Sequence, residues 1–247
     1  MPHTKSFEST DLTKEQLIKL IGMYLGEVLA HYGMWFAETS RRIGVNDALE
    51  MDSNNISKFF PSIGARLYPL FGIPVKDGLP VALLNMSREE LLICIGEIAK
   101  TWLTGDGLWF QEVERSKGMA EAKLINDSCW SLFAKMEAHK IKRFLDLPGA
   151  NGLDVLEAAL KLRIYSVINA HSLKRDDNGD LIFTMTECRV QSARRRKDLD
   201  HYPCKSAGLV EYSDFAHAID PRIKVECVWC PPDRVPETEF CSWRFSI

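Results

Sequence analysis

Along the first two thirds of the chain, apolar side chains recur at spacings of three and four, the period of a helix buried along one face. Leu17, Leu20, Ile21, Tyr24, Leu25 and Val28 form one such stripe, and Leu91, Leu92, Ile95, Ile98 and Trp102 form another. Each stripe opens on a capping pattern. Thr13 stands three places before Gln16 and Ser87 three before Glu90, so a hydroxyl and an amide or carboxylate can satisfy the free N–H groups of a helix start. The two stripes are copies. DLTKEQLIKLIG from Asp11 lies on NMSREELLICIG from Asn85 at an offset of 74 residues, and Gly33, Trp35, Phe36, Glu38, Arg41, Gly44, Ala48 and Phe59 recur at Gly107, Trp109, Phe110, Glu112, Arg115, Gly118, Ala122 and Phe133. This repeat predicts two like helical units, 11–68 and 85–142. A second helix is expected to begin near Gly33 or Gly107 and to end at Gly44 or Gly118, with a third through 56–67 or 130–144. PLFGIPVKDGLPVA between the units predicts a loop.

After LPGANG the period changes. A short helix is expected over 153–162, and 163–173 and 181–191 read as strands joined by KRDDNGD, a hairpin signal. In the second strand Ile182, Thr184, Thr186 and Cys188 fall on one face, and Phe183, Met185, Glu187 and Arg189 on the other. Helices over 192–199 and 208–219 and strands over 222–229 and 238–247 complete the pattern. The predicted class is α+β: a helical region, 1–150, made of a duplicated unit, followed by an antiparallel-sheet domain, 151–247, with helices on one face.

Composition narrows the chemistry. A net charge of −3 and a pI near 6.1 give no general attraction to phosphate backbones, so nucleic acid is not an expected partner. No stretch approaches the ~20 apolar residues that span a bilayer, and MPHTKSFEST has no signal-peptide pattern, so the expected location is the cytoplasm and no membrane partner is expected. The repeated Trp-Phe-x-Glu is read as packing aromatics, with each glutamate paired to the arginine three places on. Cys94 and Cys129 fall among apolar helix positions as small hydrophobes.

The candidate site lies in the last third, where Cys188, Cys204, Cys227, Cys230 and Cys241 account for five of the seven cysteines. In a cytosolic chain, thiols so crowded point to metal ligation or redox chemistry rather than a disulfide framework. Cys227-x-x-Cys230 has chelating spacing, and thiolates with no well-placed imidazole favour zinc, or alternatively an iron–sulfur cluster. The expectation is therefore a cysteine-rich metal site in the second domain. An open zinc site would activate water and would need a base, for which Asp233 and His201 are the candidates. Arg189, Arg194, Arg195, Arg196 and Lys197 form a basic run beside the thiols. Arg189 and Arg194 are the candidates to grip a ligand carboxylate with a guanidinium fork. Ion pairing with Asp198, Asp200 and Glu187 is the simpler account of the run.

The tail CRVQSARRRK…YPCK…GLVEY…FA…IDPRIK…C..CPPD…FC.W.F resembles an uncharacterised family of cytosolic proteins from anaerobic bacteria and archaea. It is similar, more distantly, to the L-2-amino-thiazoline-4-carboxylic acid hydrolase-like proteins. Cys204…Gly208…Glu226…Cys230…Cys241 is also similar to the 4-vinyl reductase-type small-molecule-binding domain, although Thr238-Glu239-Phe240 replaces that family's Gly-Asp before the last cysteine. These resemblances imply a zinc-binding α+β protein that takes a small molecule, or a zinc-dependent hydrolase opening a cyclic amidine or amide. A homodimer is compatible with either.

Overall fold

A computed structural model describes residues 13–77, 79–199 and 201–247, without the side chains of 16, 17, 19, 20, 22, 23, 27 and 30. Asp11, Asp200 and the side chains of Leu17 and Leu20 therefore lie outside the described residues. The chain divides into two compact units, Met1–Pro61 and Ser62–Ile247.

The helical period is realised as two pairs of long helices. Helix α1 (Lys14–Ile43) has 30 residues and α2 (Val45–Leu70) has 26; α4 (Arg88–Lys117) and α5 (Met119–Phe144) repeat those lengths at the same offset. No break occurs near Gly33 or Gly107. Each pair instead turns at Gly44 or Gly118, whose φ values of +96° and +87° lie in the left-handed region that only glycine enters freely. Ser87 accepts from Glu90 N at 3.2 Å while the Glu90 carboxylate takes Ser87 N at 2.7 Å. At Ser87 the capping pattern thus does what its spacing requires, while the Gln16 side chain of the first copy lies outside the described residues. The paired glutamates also form as expected, Glu38 with Arg41 and Glu112 with Arg115. The aromatic pairs divide: Trp35 and Trp109 are exposed, whereas Phe110 packs edge-on against Tyr202 at 5.1 Å. Between the pairs lie a two-stranded ribbon, β1 (Val75–Lys76) with β2 (Leu79–Pro80), and a single turn, α3 (Val81–Leu84), where a plain loop was expected.

The last third contains α6 (Leu153–Lys161), a 3-10 turn (Ile164–Val167), and strands β3 (Ala170–Arg175) and β4 (Leu181–Glu187). Then come α7 (Arg189–Arg196), α8 (Lys205–Ile219), β5 (Lys224–Trp229) and β6 (Cys241–Ser246). The four strands form one antiparallel sheet in the order β3-β4-β6-β5. The hairpin turn closes on the Asp176 carboxylate, which accepts from Asn178 N at 2.9 Å and Asp180 N at 3.0 Å, an Asx turn.

One face of the sheet carries the core. Phe183, Met185, Trp243 and Phe245 are buried there, each contributing about 2–3 kcal/mol by the area it removes from water. Tyr212 of α8 lies 4.9 Å from the Trp243 ring and 5.3 Å from Phe183, and α5 packs along α8. The close approach depends on Gly208. A Cβ there would stand 2.4 Å from Trp243 Cζ2, well inside van der Waals contact. Gly208→Ala is therefore expected to lower stability by about 1–3 kcal/mol, read as a lower urea midpoint at unchanged m value. An unchanged midpoint would show that α8 does not rest on Trp243.

Candidate functional site

Within the second unit a cavity of about 510 Å³ opens between α4, α5, α7, α8 and the inner face of the sheet. Six aromatic side chains line it, Phe110, Trp130, Tyr165, Tyr202, Tyr212 and Trp243, among polar and charged groups that include Asp106, Asn126 and Glu211. Four thiols line it, those of Cys188, Cys204, Cys230 and Cys241. The fifth does not. Cys227 lies on β5 opposite Trp243, just before the register of β5 against β6 slips. The chelating pair is thereby divided, with Cys230 inside the cavity and Cys227 outside it.

The thiols are organised by hydrogen bonds. Cys204 immediately precedes α8, and Gln191, which is buried, holds it from α7. Gln191 Nε2 lies 3.0 Å from Cys204 Sγ and 2.7 Å from Tyr202 O, while Gln191 Oε1 accepts from Tyr202 N at 3.2 Å. The Cys230 thiol donates toward Cys204 and also meets Cys241. The Cys230 hydrogen bond, with help from Gln191 and Lys123, outweighs burial and holds Cys204 below the usual thiol range. Cys230 keeps its proton, because these same bonds to Cys204 and Cys241 and then burial push it upward. Burial pushes Cys188 up to about 12, and its sulfur faces Tyr165 Oη at 3.8 Å.

This arrangement corrects the metal expectation. Among the described residues no group of three or more His, Cys, Asp or Glu side chains is placed to hold a metal ion. The sulfurs of Cys188, Cys204, Cys227, Cys230 and Cys241 do not converge on one point: three are engaged with each other, one faces Tyr165, and one lies outside. The zinc site, the iron–sulfur alternative, the cysteine-rich metal-binding domain and the zinc-dependent hydrolase are all withdrawn on this geometry. The face assignment of Cys188 fails for a local reason. Strand β4 ends at Glu187, so Cys188 turns inward at the start of α7 instead of continuing the alternation.

The polar candidates separate in the same way. Asp233 is outside the cavity, paired with Lys205 at 2.6 Å, and closes a turn by donating its N–H to Cys230 O at 3.0 Å. His201 is exposed and also lies outside the lining. Arg194 borders the cavity, but its fork is buried against Glu114, with both nitrogens 3.1 Å from the carboxylate oxygens. Its partner comes from α4 rather than from Asp198 or Glu187. Arg189 does reach the cavity, and Arg196 joins it. Among the described residues neither guanidinium makes a hydrogen bond or ion pair, while Lys197 donates to Gln111 at 3.1 Å.

Two groups carried no signal in the sequence. Glu211 on α8 lines the cavity floor and meets Arg163 at 2.6 Å, while Arg163 Nε donates to Glu137 at 2.8 Å. One buried guanidinium thus serves two buried carboxylates. Burial overrides Arg163 and raises the Glu211 pKa. Asp106 on α4, raised by burial alone, has no hydrogen-bond partner among the described residues. Neither residue sits at a recognisable spacing from the cysteines, and only the packing of α4 and α8 brings them there.

With this geometry in place, comparison with known proteins gives a family. The model of a Family of unknown function (DUF6125) matches residues 10–86 and 83–247, and the chain belongs to that family. Each match begins just ahead of one of the two 30-residue helices. No curated protein and no solved structure matches the chain. The hydrolase-like and reductase-type resemblances gain no support from these matches. No helix among the described residues is long and apolar enough to cross a membrane.

Arg163→Met leaves Glu137 and Glu211 buried without a counter-charge and is expected to cost about 3–5 kcal/mol near neutral pH. Glu211, already raised by burial, would lose the guanidinium that opposes the shift, so its folded pKa lies further above the unfolded one and the folded variant binds more protons than the unfolded chain. Its stability must rise as pH falls from about 7 towards 5. Urea midpoints across that range should show the deficit shrinking; a deficit independent of pH would mean that Arg163 acts by packing alone.

Proposed function

We propose that the protein binds a small organic acid in this cavity, with an apolar or aromatic body against the ring-lined walls and the anionic end at Arg189 and Arg196. One observation carries the reading. An aromatic cavity of about 510 Å³ is of the size that encloses a small organic molecule, and its rim bears two guanidiniums that no carboxylate of the described chain occupies. An unpaired guanidinium matches a carboxylate by a planar fork. Asp106 and Glu211 line the same cavity and disfavour a dianion lying deep within it, so a single acidic group at the α7 rim is the expected pattern.

Trp130 and Trp243 both border the cavity, so binding should be visible in tryptophan fluorescence. A titration series pairs aromatic monocarboxylates with their uncharged amides. The acids should bind more tightly, and Arg189→Lys, which keeps the charge but loses the fork, should weaken them by about tenfold, or ~1.4 kcal/mol, while leaving the amides unchanged. Equal affinity for acid and amide, or no saturable change with any member, would overturn the proposal.

A further inference from the structure

We infer that Cys204 and Cys230 form a dithiol–disulfide couple that exchanges with a small organic disulfide entering through the cavity, an inference that rests on the reading that the cavity admits small organic molecules. The two thiols come from distant parts of the chain, and their backbones are fastened side by side. Lys205 N donates to Pro231 O at 2.8 Å, joining the residues that follow each cysteine, and the side chains hydrogen-bond to each other across the same gap.

Their exposures differ in the way exchange requires. Cys204 is partly exposed, whereas Cys230 is only 1% exposed. Both thiols line the cavity, but Cys204 is the more exposed of the two, so an incoming disulfide meets it first. Cys204 is also the activated member. Its sulfur takes the Gln191 amide at 3.0 Å, sits at the start of the 15-residue helix α8, and lies near Lys123. The Gln191 amide, the helix N-terminus and the nearby cation favour the thiolate, which is the attacking form, and offset burial, Glu211 and the Tyr202 carbonyl at 3.4 Å, which favour the thiol. Cys188 and Cys241 line the same cavity. Cys188 is kept protonated by burial, and Cys241 meets Cys230.

The chemistry balances with the external disulfide as oxidant. The Cys204 thiolate attacks one sulfur of R–S–S–R; that S–S bond breaks, RS⁻ departs and takes a proton, and Cys204 is left as a mixed disulfide. Cys230 then gives up its proton and attacks Cys204 Sγ, expelling the second RS⁻, which is protonated in turn. Two protein thiols are oxidised by two electrons in all, and one disulfide is reduced to two free thiols. Excess small thiol drives the same steps backwards.

The test uses the full chain in a Cys94→Ser, Cys129→Ser background, fully reduced. Two probes are added separately: the neutral 2-hydroxyethyl disulfide and the carboxylate-bearing aromatic 5,5′-dithiobis(2-nitrobenzoate). Products are read by intact mass and peptide mapping. The expected product with either probe is a protein two hydrogens lighter, carrying a Cys204–Cys230 link. Cys230→Ser should stop at a mixed disulfide on Cys204, and Gln191→Ala should slow the first step roughly tenfold at neutral pH by removing the amide from the thiolate. A Cys230–Cys241 link in place of the expected one, or a Cys204 that stays unmodified by both probes in Cys230→Ser, would overturn the couple. The neutral probe keeps the two readings apart. Exchange with it at Cys204, without any Arg189-dependent preference for the aromatic acid, sustains the couple and removes the organic-acid reading. Saturable binding of carboxylates with an inert Cys204 does the reverse.

Discussion

A single buried guanidinium holds the second unit in register. Arg163 is 2% exposed and reaches Glu137 on α5 with Nε and Glu211 on α8 with Nη1, while the Glu137 carboxylate also takes the backbone N–H of Ile164 at 2.7 Å. It lies over the Phe215 ring at 4.7 Å, with Tyr212 and Trp130 slightly farther away. Burying three charges is costly, and an apolar triad of the same volume could be as stable. What the charges supply is position. An ion pair has a fixed geometry where apolar contacts slide, so α5, α8 and the turn at Ile164 are set relative to each other. The cavity floor follows from that setting, since Glu211, Tyr212 and Tyr165 lie within one turn of these contacts.

The thiols sit on the other side of that frame and obey a related constraint. Buried polar groups must find partners, and a sulfur surrounded by donors and other thiols satisfies them pairwise. Gln191 is the organiser. It spends its amide on Cys204 and on both backbone groups of Tyr202, which fixes the segment before α8 while leaving one face of Cys204 towards the cavity. The result is an asymmetric pair in which the Cys204 thiol is held below its usual range and the Cys230 thiol well above it. Crowding of cysteines in sequence becomes a hydrogen-bonded chain in space.

That difference shows where sequence reasoning carries and where it stops. The capping serine marked the start of α4, the paired glycines marked the turns at 44 and 118, and DDNG placed the hairpin, because each is a local rule acting over a few residues; the expected breaks near Gly33 and Gly107 do not occur, and each copy is two long helices where three were expected. The thiol site needed directions as well as positions. Cys188 was assigned to the wrong face because strand alternation was continued one residue beyond Glu187, where β4 gives way to α7. Cys227 and Cys230 were grouped by spacing, although the register slip after Cys227 turns them apart. Arg194 was matched to a ligand or to nearby carboxylates because its actual partner, Glu114, is 80 residues earlier in the chain. Arg189, expected on the strand, instead opens α7 and borders the cavity from there.

The repeat adds a further step, because its two copies keep one framework and differ at the site. In the first, Tyr32 donates to Asp52 at 2.9 Å and stacks on Phe59 at 5.2 Å. At the matching places the second has Asp106, Asn126 and Phe133. The stack is kept by Trp102 on Phe133 at 5.5 Å, but the hydroxyl is gone, and Asn126 turns instead to Tyr202 Oη at 2.8 Å. The C-terminal region thus supplies the phenol that the first copy carries within itself. Lys123 and Glu137 are likewise new, standing where the first copy has Leu49 and Ile63; one donates to Tyr202 Oη at 3.0 Å and the other binds Arg163. Replacing an internal tyrosine with an aspartate leaves Asp106 facing the cavity with its pKa raised by burial. The substitutions that dock the second copy against the C-terminal elements are therefore the same ones that give the cavity its polar lining.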